Sequence, residues 1–141
     1  MTLLELWRYP VKTMAGERLL RARLGPLGIE GDRVVHVEGA DHRLITSRSH
    51  PRFLAHQGTM GPDGEVLVDG RPWASPEVAA RVVEIAGPGS RLVHDEGPDR
   101  FDVLPLLVAT DGAIAAFGQD PRRLRPNLII GGVEGMLERG W

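Results

Sequence analysis

At 141 residues the chain fits one domain or one compact two-part fold and can bury a real core. A formal charge of -2 argues against a globally basic nucleic-acid binder, and no apolar run approaches the roughly 20 residues of a membrane span. With no cysteine, the chain offers no disulfide framework, no thiolate chemistry and no thiolate metal ligand. The N-terminus lacks the basic-then-apolar pattern of a secretory leader, so a cytoplasmic location is expected.

Thr2 to Tyr9 reads as a strand that ends at Pro10, which cannot donate to a ladder. Arg18 to Leu24 alternates roughly and predicts a second strand, followed by a break at Gly25-Pro26-Leu27-Gly28. Val34, Val35 and Val37 form a β-branched run with Arg43 to Thr46 as its hairpin partner. Ser49 to Leu54 reads as one helical turn with Pro51 near its start. Gly61-Pro62-Asp63-Gly64 turns the chain into a strand from Glu65 to Val68, and Asp69-Gly70 signals another tight turn.

After residue 74 the hydrophobic period changes. Ser75-Pro76-Glu77 has the form of an N-cap followed by proline at the first helical position. Val78, Val82 and Ile85 repeat at helical spacing, with Val83 widening the stripe, until Gly87-Pro88-Gly89 stops the helix. A short strand is expected from Arg91 to His94, a polar loop over residues 95–102, and a buried strand from Leu104 to Ala109. Thr110-Asp111 caps a second short helix from Gly112 to Phe117, and Asp120 to Arg125 forms a basic loop before the strand Asn127 to Ile130. The expected fold is mainly β with α: a small barrel or sandwich of short strands with two or three short helices.

Two basic stretches stand out. In the first, Tyr9-Pro10-Val11-Lys12-Thr13 leads on to Gly31-Asp32-Arg33; the second is Arg122-Arg123-Leu124-Arg125-Pro126-Asn127. Lys12 and Thr13 both donate to an oxyanion after a proline turn, where the bland alternative is an exposed loop cation. Gly31 permits positive φ, and Asp32 is placed to orient Arg33 through an ion pair; the alternative is a surface turn with an ordinary salt bridge. Arg125 is aimed by the fixed Pro126, and Asn127 offers both donor and acceptor to a ring edge; the alternative is a solvated basic loop. Lys12 is the only lysine among arginines, which fits a general arginine bias and also a need for a compact, rotatable ammonium. Both stretches are expected to face one pocket. His36, His42, His50, His56 and His94 show no metal spacing, and no phosphate-binding glycine loop or nucleophile elbow occurs.

Taken together, Tyr9 to Thr13, Gly28 with Gly31-Asp32-Arg33, Leu44-Ile45-Thr46-Ser47-Arg48 with Pro51, and Arg122 to Asn127 before an apolar strand resemble the MOSC proteins. This is the molybdenum cofactor sulfurase C-terminal domain family with its N-terminal β-barrel, which includes the amidoxime-reducing components. The resemblance implies residues 1–74 as a barrel-like portion and residues 75–141 as a helix-strand portion that begins the MOSC core. It implies molybdenum cofactor (molybdopterin) held by Lys12, Thr13, Arg33, Thr110, Arg125 and Asn127, with Asp111 where an acidic residue is common. It assigns no catalytic residue. The family's metal-ligating cysteine belongs to a C-terminal part past the position of Trp141, so no metal ligand is expected within this chain, which is either the front portion of a longer protein or a short form that binds no metal.

The activity this implies is molybdenum-dependent reduction of N-oxygenated compounds or sulfur transfer, served by an electron-transfer or sulfur-donor protein. The alternatives are a non-catalytic module binding an anionic or phosphorylated ligand, and a scaffold that forms a homodimer through exposed edge strands. No nucleic-acid or membrane partner is expected.

Overall fold

A computed structural model describes residues 1–120, 123–135 and 137–140. Strand β1 (Thr2–Arg8) pairs antiparallel with the last strand, β12 (Leu128–Gly131), with a bulge between Leu3 and Glu5. On its other side β1 pairs with β2 (Glu17–Arg18), and β12 pairs in parallel with β11 (Val108–Thr110). The sheet order is therefore β11-β12-β1-β2. Joining parallel strands needs a crossover, and α2 (Asp111–Phe117) supplies it.

The valine run forms β5 (Val35–Glu38), which pairs with β6 (Leu44–Ile45) and with β10 (Arg91–His94). A two-stranded ribbon, β3 (Leu24–Gly25) with β4 (Gly28–Ile29), closes around the Pro26-Leu27 turn. Strands β7 (Gly58–Met60), β8 (Val66–Val68) and β9 (Arg71–Pro72) make a small meander. The fold is mainly β with α, as the pattern of short strands and turns implied. Among the described residues there are two α-helices, and 3-10 turns lie at Pro51–Ala55, Pro98–Arg100 and Leu137–Gly140.

One core unites these pieces. Val11, Val35, Val37, Phe53, Val66 and Val68 pack with Val78 and Val82 of α1 (Pro76–Ala86). The helix starts where its chemistry says it should: the Ser75 hydroxyl accepts the Val78 N–H at 3.4 Å, and Pro76 needs no donor at its position. It stops at Gly87, whose φ of 92° disfavours a side chain. Val83 does not widen the buried stripe; it is 39% exposed because the core contacts only one narrow face.

Three further expectations need correction. Arg18 to Leu24 is not one strand: pairing with β1 covers only two residues, and Leu20 stands in solvent with no facing layer to bury it. Leu104 to Ala109 is not a buried strand either. Only Val108–Thr110 pairs, β11 is a sheet edge, Pro105 cannot donate to a ladder, and Leu104, Leu107 and Val108 are exposed. The supposed polar loop over residues 95–102 hides a buried side chain, Arg100, in its 3-10 turn.

Candidate functional site

Beyond β1 the chain runs alongside residues 33–35. The Arg33 N–H donates to the Tyr9 carbonyl at 2.7 Å, Val35 N–H to Pro10 at 3.0 Å, and Lys12 N–H to Val35 at 2.7 Å. This parallel bridge, Val11 against Val35, brings Lys12 and Thr13 beside Arg33 although some twenty residues separate them. Asp32 fixes the junction. Its fully buried carboxylate accepts the Tyr9 N–H at 2.7 Å and pairs with the Arg33 guanidinium. Gly31, at φ 78°, makes the turn that permits this.

The second basic stretch closes the same site. Arg33 donates to Asn127 Oδ1 at 3.1 Å and to the Arg125 carbonyl at 3.2 Å, while Arg125 reaches the Val11 carbonyl at 3.3 Å. Both guanidinia lie over the Tyr9 ring, at 5.3 Å and 4.8 Å from its centroid. Burial pushes the Tyr9 phenol up to about 12 and draws the Arg125 guanidinium down to about 10, with Arg33 as a second cause at Arg125. The Tyr9 hydroxyl donates to the Pro126 carbonyl at 3.0 Å.

The result is a cleft of about 450 Å³. Among the described residues five cations line it: Lys12, Arg33, Arg48, Arg123 and Arg125. Thr13, Thr46 and Ser47 add hydroxyls, and Asp102 is the one acid among the lining residues. Lys12 is not an exposed loop cation. It is 8% exposed and donates to the Arg100 carbonyl at 3.0 Å and to Asp102 at 2.8 Å. That hydrogen bond holds the Asp102 carboxyl below its usual range. Among the described residues, two buried side-chain polar atoms have no protein partner: the Thr13 hydroxyl oxygen and the Arg125 Nε. Leaving such groups unsatisfied costs roughly 1–3 kcal/mol each, so both are donors with unused capacity buried just beneath the cleft lining.

Three of the five described non-glycine residues with positive φ line this cleft; the others, His42 and Asp69, lie elsewhere. Thr13, Arg33 and Arg125 have φ of 86°, 55° and 52°, a region that a β-branched residue such as threonine rarely enters. Strain of this kind persists where surrounding structure enforces it, and it concentrates at functional sites.

Thr110 and Asn127 stand elsewhere. The buried Thr110 hydroxyl caps α2 by accepting the Ala113 N–H at 3.0 Å, and the residue is not among those lining the cleft. Asp111 accepts backbone N–H groups from Gly132, Val133 and Gly112, which together hold its carboxyl low. Asn127 is fully buried behind the cleft. It accepts from Leu107 N–H and Arg33 and donates to the Trp7 carbonyl at 3.2 Å, so it ties three segments together. Arg122 lies outside the described residues.

Sequence reasoning missed three participants. Tyr9 is the surface on which both arginines rest, Asp102 pairs with Lys12, and Arg100 braces the loop between them. The Arg100 guanidinium donates to the carbonyls of Asp32, Glu96, Gly97 and Leu27. Tyr9 belongs to the first basic stretch but carries no sign of its role there, and no local signal marks Arg100 or Asp102, since 88 residues separate Arg100 from Lys12. A second, more apolar cavity of about 830 Å³ lies against Trp7, Tyr9, Leu54, Ile114 and Ile129 and shares Arg123 and Arg125 with the cleft. Among the described residues no group of three His, Asp or Glu converges as a metal site, and no helix is long and apolar enough to cross a membrane.

Residues 1–117 match the family described as the MOSC N-terminal beta barrel domain. The chain belongs to this family. No curated protein matches it. Lys12, Thr13, Arg33 and Thr110 of this MOSC N-terminal barrel chain lie within the matched span, and Arg125 and Asn127 follow it. The family thus encloses the strained Lys12-Thr13 turn and the Asp32-Arg33 pair, which form one side of the cleft.

Proposed function

We propose that the cleft binds the molybdenum cofactor through its phosphate and pterin groups, in a protein of molybdenum-dependent reductive or sulfur-transfer chemistry. The observation that carries this reading is the pair of buried, unpartnered donors, Thr13 Oγ1 and Arg125 Nε, set in a cleft with five cations and one acid. Such a site favours a polyanion with several acceptor oxygens. The donor set fits the phosphate and pterin portions. None of the 141 residues is a cysteine, so none is assigned to the metal.

In this reading Lys12 and Thr13 donate to phosphate oxygens from one side, and Arg33 and Arg125 from the other. Tyr9 keeps both guanidinia in place from beneath, and Asp32 orients Arg33. Asn127 acts at one remove, by holding the strand entrance behind the cleft, and Thr110 caps α2, which borders the neighbouring apolar cavity. The bound cofactor would supply the redox or sulfur-transfer chemistry, with the protein contributing position and charge. N-oxygenated organic compounds are the substrate class proposed for the reductive case. A cytoplasmic setting and an electron- or sulfur-donating protein complete the proposal.

The test is native purification from a cofactor-producing host, followed by release and chromatographic measurement of pterin. Wild-type protein is expected to retain pterin, and Lys12→Ala and Arg125→Ala to lose most of it while keeping the wild-type circular dichroism spectrum. A folded wild-type chain that carries no pterin and takes none up on incubation with the purified cofactor would overturn the reading.

A further inference from the structure

The Lys12 ammonium is buried, whereas the Asp102 side chain that pairs with it at 2.8 Å is 62% exposed. This asymmetry has a consequence for exchange. A buried ammonium needs a charged or polar partner at all times, while an exposed carboxylate regains water when it lets go. Among the described residues, Asp102 is also the single acid on a cleft wall that otherwise carries Lys12, Arg33, Arg48, Arg123 and Arg125.

We propose that Asp102 is the charge filter of the cleft: it neutralises Lys12 until a phosphate-type dianion displaces it, and so excludes monoanions. The inference rests on the reading that the cleft takes an anionic group. A tethered carboxylate competes at a high effective concentration, so a free carboxylate of the same charge gains nothing by replacing it. A phosphate monoester or diphosphate differs in two ways. Its charge roughly doubles the attraction to the ammonium at equal distance. Its further oxygens also offer acceptors to the other cations that line the cleft, Arg33, Arg48 and Arg125, which a single carboxylate on Lys12 does not serve. Asp102 thus acts on specificity through Lys12 and touches no reacting atom.

Lys12 is the only lysine, so isotope labelling of lysine gives a single side-chain NMR signal that reports this ammonium directly. The experiment titrates inorganic phosphate at pH 8, and separately acetate, into wild type, Asp102→Asn and Asp102→Glu. In wild type the Lys12 signal is expected to move with phosphate and not with acetate. Asp102→Asn is expected to bind phosphate roughly three- to tenfold more tightly and to respond to acetate, while Asp102→Glu keeps the wild-type selectivity. Asp102→Ser gives the same readout should the Asn variant pack poorly. Unchanged or weaker phosphate binding in the neutral variants, with the wild-type preference intact, would overturn the filter and leave the anion site standing. Absence of phosphate binding in every variant would overturn both.

Discussion

The cleft and the junction directly behind it are built from the same residue types and treat them in opposite ways. At the junction, Asp32 and Asn127 are fully buried with their side-chain polar groups engaged, and they join β1, the Arg33 turn and the strand entrance at residue 127. In the cleft, Thr13 and Arg125 are held at positive φ with buried donors left open. A satisfied polar group stabilises the fold and takes a ligand only by giving up a partner, as Lys12 would give up Asp102. An unsatisfied one weakens the fold and gains only when something binds. Residue type alone therefore does not separate scaffold from site; the accounting of partners does.

The largest effect that would break this contrast is expected at the junction. Asp32→Ala leaves Arg33 without its carboxylate and Tyr9 N–H without an acceptor, and should cost about 3–5 kcal/mol by denaturant unfolding. A loss below about 1 kcal/mol would mean that the junction is not the brace described here.

Tyr9 comes next. It is the only tyrosine, so tyrosinate absorbance reports a single group. Its folded value of about 12 lies above the ordinary 10.0, so its contribution is complete below about pH 10 and is lost as pH rises towards about 12. Two units correspond to roughly 2–3 kcal/mol. Native protein should titrate near 12 and urea-unfolded protein near 10.0, and Tyr9→Phe should remove this alkaline component of the unfolding profile. A native midpoint near 10 would show that the ring is hydrated.

Ser75→Ala provides a control far from the cleft. Loss of the cap on α1 should lower stability by about 1 kcal/mol and leave phosphate binding unchanged. The smallest stability change, and the sharpest test, is expected from Thr13→Gly. Glycine relieves the strain at φ 86° but is more flexible when unfolded, so stability should shift by less than about 1 kcal/mol. Phosphate affinity should nevertheless fall severalfold, because the open hydroxyl is gone. A variant that loses stability and retains binding would reverse the contrast between the two regions.

Much of the fold was legible wherever the signal is local. Ser75-Pro76 before a helical stripe, Gly87 after it, and Thr110 before α2 are decided within a few residues by backbone hydrogen bonding. The β-branched run at Val35 and the turns at Pro26-Leu27 and Asp69-Gly70 belong to the same class. The failures were at edges. Whether Leu20 or Leu104 is buried depends on a facing layer that no short window describes. At the candidate site the sequence named Lys12, Thr13, Arg33 and Arg125, which the fold brings to one cleft, but not which of them would have partners.

By itself, then, the sequence determined the turns, the caps, the valine core and the two basic stretches, because each follows from neighbours along the chain. Only the tertiary structure decided that Lys12 is buried against Asp102, that Arg33 and Arg125 share one ring, and that Asn127 belongs to the scaffold. Those outcomes depend on contacts across 90 residues for Lys12 with Asp102 and 92 for Arg33 with Arg125 (102 - 12 and 125 - 33). Desolvation and pairing at such distances are set by the packed whole, since a charge becomes costly or useful only once its surroundings have excluded water.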